Sequence, residues 1–250
     1  MKIAVLGSGA WGTALSLLLQ KNGHEVTLWS YCEEECSALR ERGENKMLPG
    51  VPLPEGLPLT HREDVVAGCG LVVFAPPSYA MRQTALRVKP YLMPEAVLVT
   101  VAKGVEPESG LRMSEILAET LPGHPIAALS GPSHAEEVAR EMPTGCVAAC
   151  ADRAVAEWLQ GIFMNPSFRV YSSTDITGVE LCGAAKNIIA LAAGMAEGMG
   201  CGDNAKALMM SRALVELSAL IKAAGGEETT CFGLAGMGDM IVTCTSPHSR

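Results

Sequence analysis

Short apolar runs recur through the first two-thirds of the chain: Ile3–Leu6, Val26–Trp29, Leu71–Ala75, Val97–Val101, Ile126–Leu129, Cys146–Ala149 and Phe168–Tyr171. Runs this short, bounded by turn residues, read as strands buried on both faces. Segments with helical spacing lie between most of them, among them Thr13–Asn22, Ala80–Val88 and Leu111–Glu119. Strands alternating with helices predict an α/β fold built on a doubly wound, mostly parallel sheet. Pro49, Pro52, Pro54 and Pro58 crowd one stretch that reads as loop.

The pattern changes near Ser172-Ser173. Beyond it Thr174–Gly198 and Asn204–Ala224 read as two long helices, the second opened by Asp203 or Asn204 and closed by Gly225-Gly226. The expected division is 1–172 for the sheet domain and 173–250 for the first part of an all-α domain. The second part is too small to close its own core, so it is expected to pack on the first, on a partner chain, or on both. Leu181–Met199 is the most apolar segment, but Lys186, Asn187 and Glu197 interrupt it. A buried core helix fits it better than an integral membrane segment.

The first run feeds directly into Gly7-Ser-Gly9-Ala10-Trp11-Gly12, a G-x-G-x-x-G at a strand-to-helix turn. In that context the motif reads as a Rossmann-type dinucleotide fingerprint. Gly7 permits the turn, Gly9 lets backbone approach a pyrophosphate, and Gly12 lets helix and strand pack. The helix N-terminus offers free N–H groups and partial positive charge to phosphates. The plainer alternative is a glycine turn that serves packing alone.

Four further stretches carry candidate chemistry. Lys186 stands among small and apolar residues, where desolvation lowers a lysine's pKa and fits it for proton transfer. A lysine snorkelling to water is the other reading. Glu180, Gly183 and Asn187 share one face of the same helix, with Lys186 beside it. Lys103 ends a strand before Gly104, at the carboxyl edge where open α/β sheets bind ligands. Ser130-Gly131-Pro-Ser133-His134-Ala135-Glu136 reads as a strand end and helix start, with Ser133 and Glu136 as a capping box that is either a plain cap or a second helix N-terminus aimed at the cleft, and His134 structural. Finally, Gly233-Leu-Ala-Gly236-Met-Gly238-Asp239 packs glycines around one acid, which could pair with a lysine, bind hydroxyls, or cap a helix.

Composition narrows the function classes. The net charge is −8 and no segment concentrates Lys and Arg, so nucleic acid is not an expected partner. The acids Glu33–Glu35 suit a helix start. Nine cysteines include no C-x-x-C and no Cys/His cluster at metal spacing, so no metal is expected. Cys32/Cys36 and Cys146/Cys150 are each four apart, which along a strand is about 13 Å and too far to bridge. Unpaired thiols, and a chain opening on a core strand, lead us to expect a cytoplasmic protein.

Taken in order, the motifs resemble those of the bacterial NAD(P)-dependent glycerol-3-phosphate dehydrogenase family. They are Gly7–Gly12, Asn22-Gly-His-Glu-Val, Pro77-Ser78, Ala102-Lys103-Gly104, Ser130–Glu137, Gly178-Val-Glu-Leu with Lys186-Asn187, Asn204-Ala-Lys-Ala, and Gly236-Met-Gly-Asp239 with Thr243-Cys-Thr245. The resemblance implies reversible hydride transfer between NAD(P)H and dihydroxyacetone phosphate, giving sn-glycerol 3-phosphate for glycerophospholipid synthesis. By the same resemblance Lys186 donates and accepts the proton, and Lys103 holds substrate and touches cofactor. Asp239 and Asn187 shape the polar surroundings of the reacting carbon. Gly131, Ser133, Thr243, Ser249 and Arg250 are matched to substrate contacts. Ala10, Trp11, Tyr31, Ala135 and Arg250 are matched to cofactor contacts. Arginine suits a phosphate because its planar fork donates twice.

Two departures stand out. Pro76 precedes Pro77-Ser78, where a small aliphatic residue is more usual in the family. The sequence also ends at Arg250, where the family continues with an Asn and the rest of its helical domain; the helical domain is therefore expected to be incomplete and turnover in doubt. An NAD site usually carries an acid at the end of the second strand. Here Trp29-Ser30-Tyr31-Cys32 supplies none, with Glu33 the nearest, and no arginine stands ready for a 2′-phosphate. NADPH is the expected cofactor over NADH. A homodimer is possible. The rival readings are a β-hydroxyacid or ketopantoate dehydrogenase of the same build, and an NAD(P)-binding fragment without turnover.

Overall fold

The computed structural model describes residues 1–246. Eight strands form one sheet: β1 Lys2–Leu6, β2 Glu25–Trp29, β3 Leu59–Thr60, β4 Leu71–Phe74, β5 Val97–Thr100, β6 Ile126–Ser130, β7 Thr144–Cys150 and β8 Phe168–Ser173. Their order is β3-β2-β1-β4-β5-β6-β7-β8. Every pairing is parallel except β6 with β7. All seven expected strands are present. The two-residue β3 was not foreseen; it follows the proline-rich stretch and pairs Leu59 with Leu28.

Alternate residues of β1 enter opposite cores. Ile3 and Val5 join the cluster beneath α1 (Ala10–Lys21), α5 (Ala135–Ala139) and α6 (Arg153–Phe163). Ala4 and Leu6 join the cluster beneath α3 (Met81–Val88) and α4 (Met113–Thr120). Both faces of the strand are buried, which is why it reads as continuous apolar sequence. α2 (Glu33–Arg42) begins on the acidic run. Asn22 ends α1 and donates from Nδ2 to the Ile162 and Phe163 carbonyls, so that motif ties α1 to α6.

After β8 the described chain is helical: α7 Ile176–Gly198, α8 Asp203–Ala223, a π-helical turn at Leu234–Gly238, and α9 Asp239–Thr245. The first half of α7 packs on the sheet. Val179 and Cys182 share a cluster with Ala149 of β7 and with Leu217 and Ile221 of α8. The expectation of a buried core helix holds only for this half. Further along, Ile188, Leu191, Met195 and Met199 are exposed, because α8 and α9 cover only the side that carries Ala193. By length and composition alone α7 could cross a membrane. It instead lies against β6, β7 and α9, with Glu180 and Lys186 buried along it.

Candidate active site

Two turns at the carboxyl edge of the sheet build a cleft. The chain leaves β1 at Gly7, whose φ of +124° is accessible to glycine. A Cβ there would stand 2.5 Å from the Ala75 carbonyl oxygen, and one on Gly12 would stand 1.9 Å from the Gly7 oxygen. Those two glycines therefore serve the close packing of turn, helix and β4. Gly9 differs: a Cβ on it would meet only Met47 Cε, at 3.9 Å. The backbone over Gly9 is open to a ligand, and the donor set there fits a pyrophosphate.

The cleft above this loop has a volume of about 740 Å³. Gly7, Gly9, Ala10, Trp11, Gly12 and Tyr31 all line it. It opens between β1 and β4, where the strand order reverses. Ala135 is not among its lining residues; it opens α5 and packs in the core beside α1, because that helix starts with its face turned inward.

A second cluster stands further along the same edge. Lys103, just beyond β5, donates from Nζ to Asp239 Oδ2 at 2.5 Å and to the Gly131 carbonyl at 3.1 Å. Lys186, on α7, donates to Asp239 Oδ1 and, at 2.9 Å, to Thr243 Oγ1. Thr243 in turn donates to the Asp239 carbonyl, one turn back on α9. Asp239 is 1% exposed and Lys186 8%. Asp239 therefore pairs with both lysines rather than capping a helix. Gly236 lets the π-helical turn before Asp239 close on the backbone of Cys231: a Cβ on it would stand 2.1 Å from the Cys231 oxygen.

Burial pushes the Lys186 ammonium pKa down, and the positive charge of Lys103 pushes it further. Asp239 opposes both effects, leaving a pKa of about 8. Lys186 is thus a buried amine poised to exchange a proton near neutral pH.

The Ser133 hydroxyl donates to the same Gly131 carbonyl that accepts from Lys103. The expected Ser133 capping box does not form. The N-cap of α5 is His134 in extended conformation, and the Ser133 side chain is turned back on Gly131. Gly131 has φ +153°, and a Cβ there would stand 2.9 Å from Cys146 Cα. The Ser130 hydroxyl is buried without a hydrogen-bond partner among the described residues. Asn187 is exposed on α7, and no hydrogen bond joins it to the lysine cluster among the described residues. Ser249 and Arg250 lie outside the described residues.

Glu180 does not meet Lys186 either. Its carboxylate accepts from the Ser114 backbone N–H at 2.8 Å and from Arg112 at 2.6 Å, which fastens α7 to the start of α4. Burial raises the pKa of its carboxyl. Arg112 carries no sequence signal, since its partner lies 68 residues away.

At the rim of the cleft the structure supplies two charges that the sequence did not reveal. Glu35 bends back from α2, and its Oε2 accepts from Ser8 Oγ at 2.8 Å and from Ser30 Oγ. Arg87 of α3 lies 4.7 Å from the Tyr31 ring centroid and pairs with Glu63. Glu33, the acid nearest in sequence, is turned to Arg40 and His61 instead.

Comparison with known proteins gives the same assignment along the whole chain. The family model for the NAD-dependent glycerol-3-phosphate dehydrogenase N-terminus matches residues 2–156, and that for its C-terminus matches 175–250. The glycerol-3-phosphate dehydrogenase (NAD(P)+) of Moorella thermoacetica is 52% identical over 250 residues, covering 99% of this chain and 74% of that protein. A crystal structure of glycerol-3-phosphate dehydrogenase from Coxiella burnetii superposes with a TM-score of 0.94 at 37% identity, covering 100% of this chain and 77% of that one. A ketopantoate reductase from Ralstonia eutropha gives a TM-score of 0.68 at 23% identity, covering 91% of this chain and 76% of that one, a likeness of fold alone.

Proposed function

We propose, from the premise that this chain belongs to the NAD-dependent glycerol-3-phosphate dehydrogenase family, that Lys186, Lys103 and Asp239 carry the proton chemistry of its reaction. The chain is an NAD(P)-dependent glycerol-3-phosphate dehydrogenase, interconverting dihydroxyacetone phosphate and sn-glycerol 3-phosphate. The bound nicotinamide supplies the hydride in reduction and takes it in oxidation. Everything else falls to side chains.

The observation that carries the reading is the buried Lys186 amine held beside Lys103 on one carboxylate. In reduction Lys186 gives its proton to the oxygen of the C2 carbonyl as charge develops there. In oxidation the neutral amine takes that proton back. Lys103 polarises the same oxygen and offers a second positive charge. Asp239 keeps two like charges together and fixes the direction of both ammonium groups. Thr243 orients Lys186, while Gly131 and Ser133 border the substrate. The glycine turn with Ala10, Trp11 and Tyr31 holds the dinucleotide, and the open backbone at Gly9 is what supports that placement.

Residues 1–172 then form the NAD(P)-binding domain, which also brings Lys103, Gly131 and Ser133 to the substrate, and 173–250 begin the helical substrate-binding domain. Ser249 and Arg250 are assigned to the substrate phosphate, with Arg250 also at the cofactor, on the family motif alone. NADPH as favoured cofactor is supported by the Arg87 guanidinium at the Tyr31 rim. A cytoplasmic setting is supported by nine free thiols, seven of them buried. A homodimer is supported by the exposed apolar side chains of α7 and α8, and sedimentation tests it.

The deciding assay follows NADPH oxidation with dihydroxyacetone phosphate beside NADPH binding by fluorescence. Turnover that is abolished in Lys186→Ala, with binding intact, supports the reading. Turnover of non-phosphorylated keto acids alone would overturn it. Binding without turnover would favour a dinucleotide-binding fragment.

A further inference from the structure

We infer that Glu35 is a specificity-determining residue for the cofactor: its carboxylate takes the adenosine ribose hydroxyls and penalises a 2′-phosphate, so that NADH stays usable beside NADPH. This rests on the dehydrogenase reading for its context, but its geometry is independent of the lysine cluster. Glu35 lies at the third position of α2, where it is exposed and suits the helix dipole. Its carboxyl folds onto Ser8, the residue between Gly7 and Gly9, and onto Ser30 at the end of β2. Ser8 and Ser30 are 8% and 1% exposed, so the anion is anchored on buried hydroxyls.

The end of the second strand beside the glycine turn is where a Rossmann-type sheet meets the adenosine ribose. Oε2 takes both serine hydroxyls, and Oε1 accepts no hydrogen bond among the described residues. A carboxylate oxygen at that place accepts from a ribose hydroxyl and repels a phosphate dianion. Glu35 lines the cofactor cleft and also the adjoining 270 Å³ pocket that contains Arg42 and Lys46. Arg87, the other charge at the rim, is paired with Glu63, which weakens its attraction for a phosphate. Cofactor choice is therefore a balance in which Glu35 pulls toward NADH.

The test compares the wild-type chain with Glu35→Gln and Glu34→Gln. Dissociation constants for NADH and NADPH come from fluorescence, and kcat/KM for each from dihydroxyacetone phosphate reduction. Glu35→Gln keeps shape and removes charge; it should raise the NADPH-to-NADH preference by about tenfold or more. Glu34→Gln removes a charge from the same helical turn and should leave the ratio unchanged. An unchanged ratio in Glu35→Gln, a parallel loss of both cofactors, an equal shift in Glu34→Gln, or no binding of either cofactor to the wild type would overturn the inference. A shifted binding ratio without turnover of dihydroxyacetone phosphate would sink the dehydrogenase reading and leave this one standing.

Discussion

Gly183 on α7 lies directly against the stem of Lys103: a Cβ built on it would stand 3.3 Å from Lys103 Cγ and 3.0 Å from Ser130 Oγ. Helix interiors favour alanine over glycine by about 1 kcal/mol. Gly183→Ala should therefore cost little stability, yet push Lys103 off Asp239. We expect near-wild-type urea unfolding and a roughly tenfold fall in kcat/KM, since a misplacement of this size is costly in a preorganised site. Wild-type kinetics in this variant would show that the contact is slack.

Lys186→Ala should lower kcat by about 10²- to 10⁴-fold, the usual range for a general acid–base group. NADPH affinity should hold, because the glycine turn is remote from α7. Equal losses in binding and turnover would make Lys186 a structural residue. Steady-state kinetics beside fluorescence titration decides this.

The pH dependence has a definite sign. Reduction needs the ammonium form of Lys186, so its rate should fall as pH rises through about 8. Oxidation needs the amine, so its rate should rise across the same interval. Asp239 holds the pKa up against burial and Lys103. Asp239→Asn should move both breaks to lower pH as well as slowing turnover. A break that stays in place in Asp239→Asn would remove Lys186 as its origin.

Arg112→Ala should destabilise the fold by about 3 kcal/mol, because it strands the Glu180 carboxylate inside the protein. Chemical denaturation measures the loss. The expected companion is looser α7 docking, read as faster hydrogen exchange at Val179 and Cys182.

The strands were legible because both of their faces are buried, so periodicity was not needed to find Leu71–Phe74 or Val97–Thr100. The glycine turn was legible because backbone conformation and close approach restrict residue type at Gly7 and Gly12. Lys186, Lys103 and Asp239 each stood out as charges in small or apolar surroundings. That Asp239 joins both lysines was beyond reach, since only the tertiary fold brings residues 136 apart together. Glu35 was hidden for another reason. As one of three consecutive acids it looks like an ordinary helix start, and nothing local shows that its carboxyl turns toward Ser8. Ser133 misled in the opposite direction: the spacing to Glu136 fits a cap, but the hydroxyl turns back to donate to the Gly131 carbonyl and the helix starts after His134.

All the lining of the glycine-turn cleft lies between Gly7 and Ala102, whereas Lys103 must wait for Asp239. A ribosome adding about 5–20 residues per second needs roughly 7 to 27 seconds to make the intervening chain. Over that interval a nascent polypeptide has the residues of its dinucleotide cradle, but not the carboxylate that holds the two ammonium groups together. The residues that meet the coenzyme are thus made early in biosynthesis, and the chemistry waits for the segment that carries Asp239, 136 residues beyond Lys103.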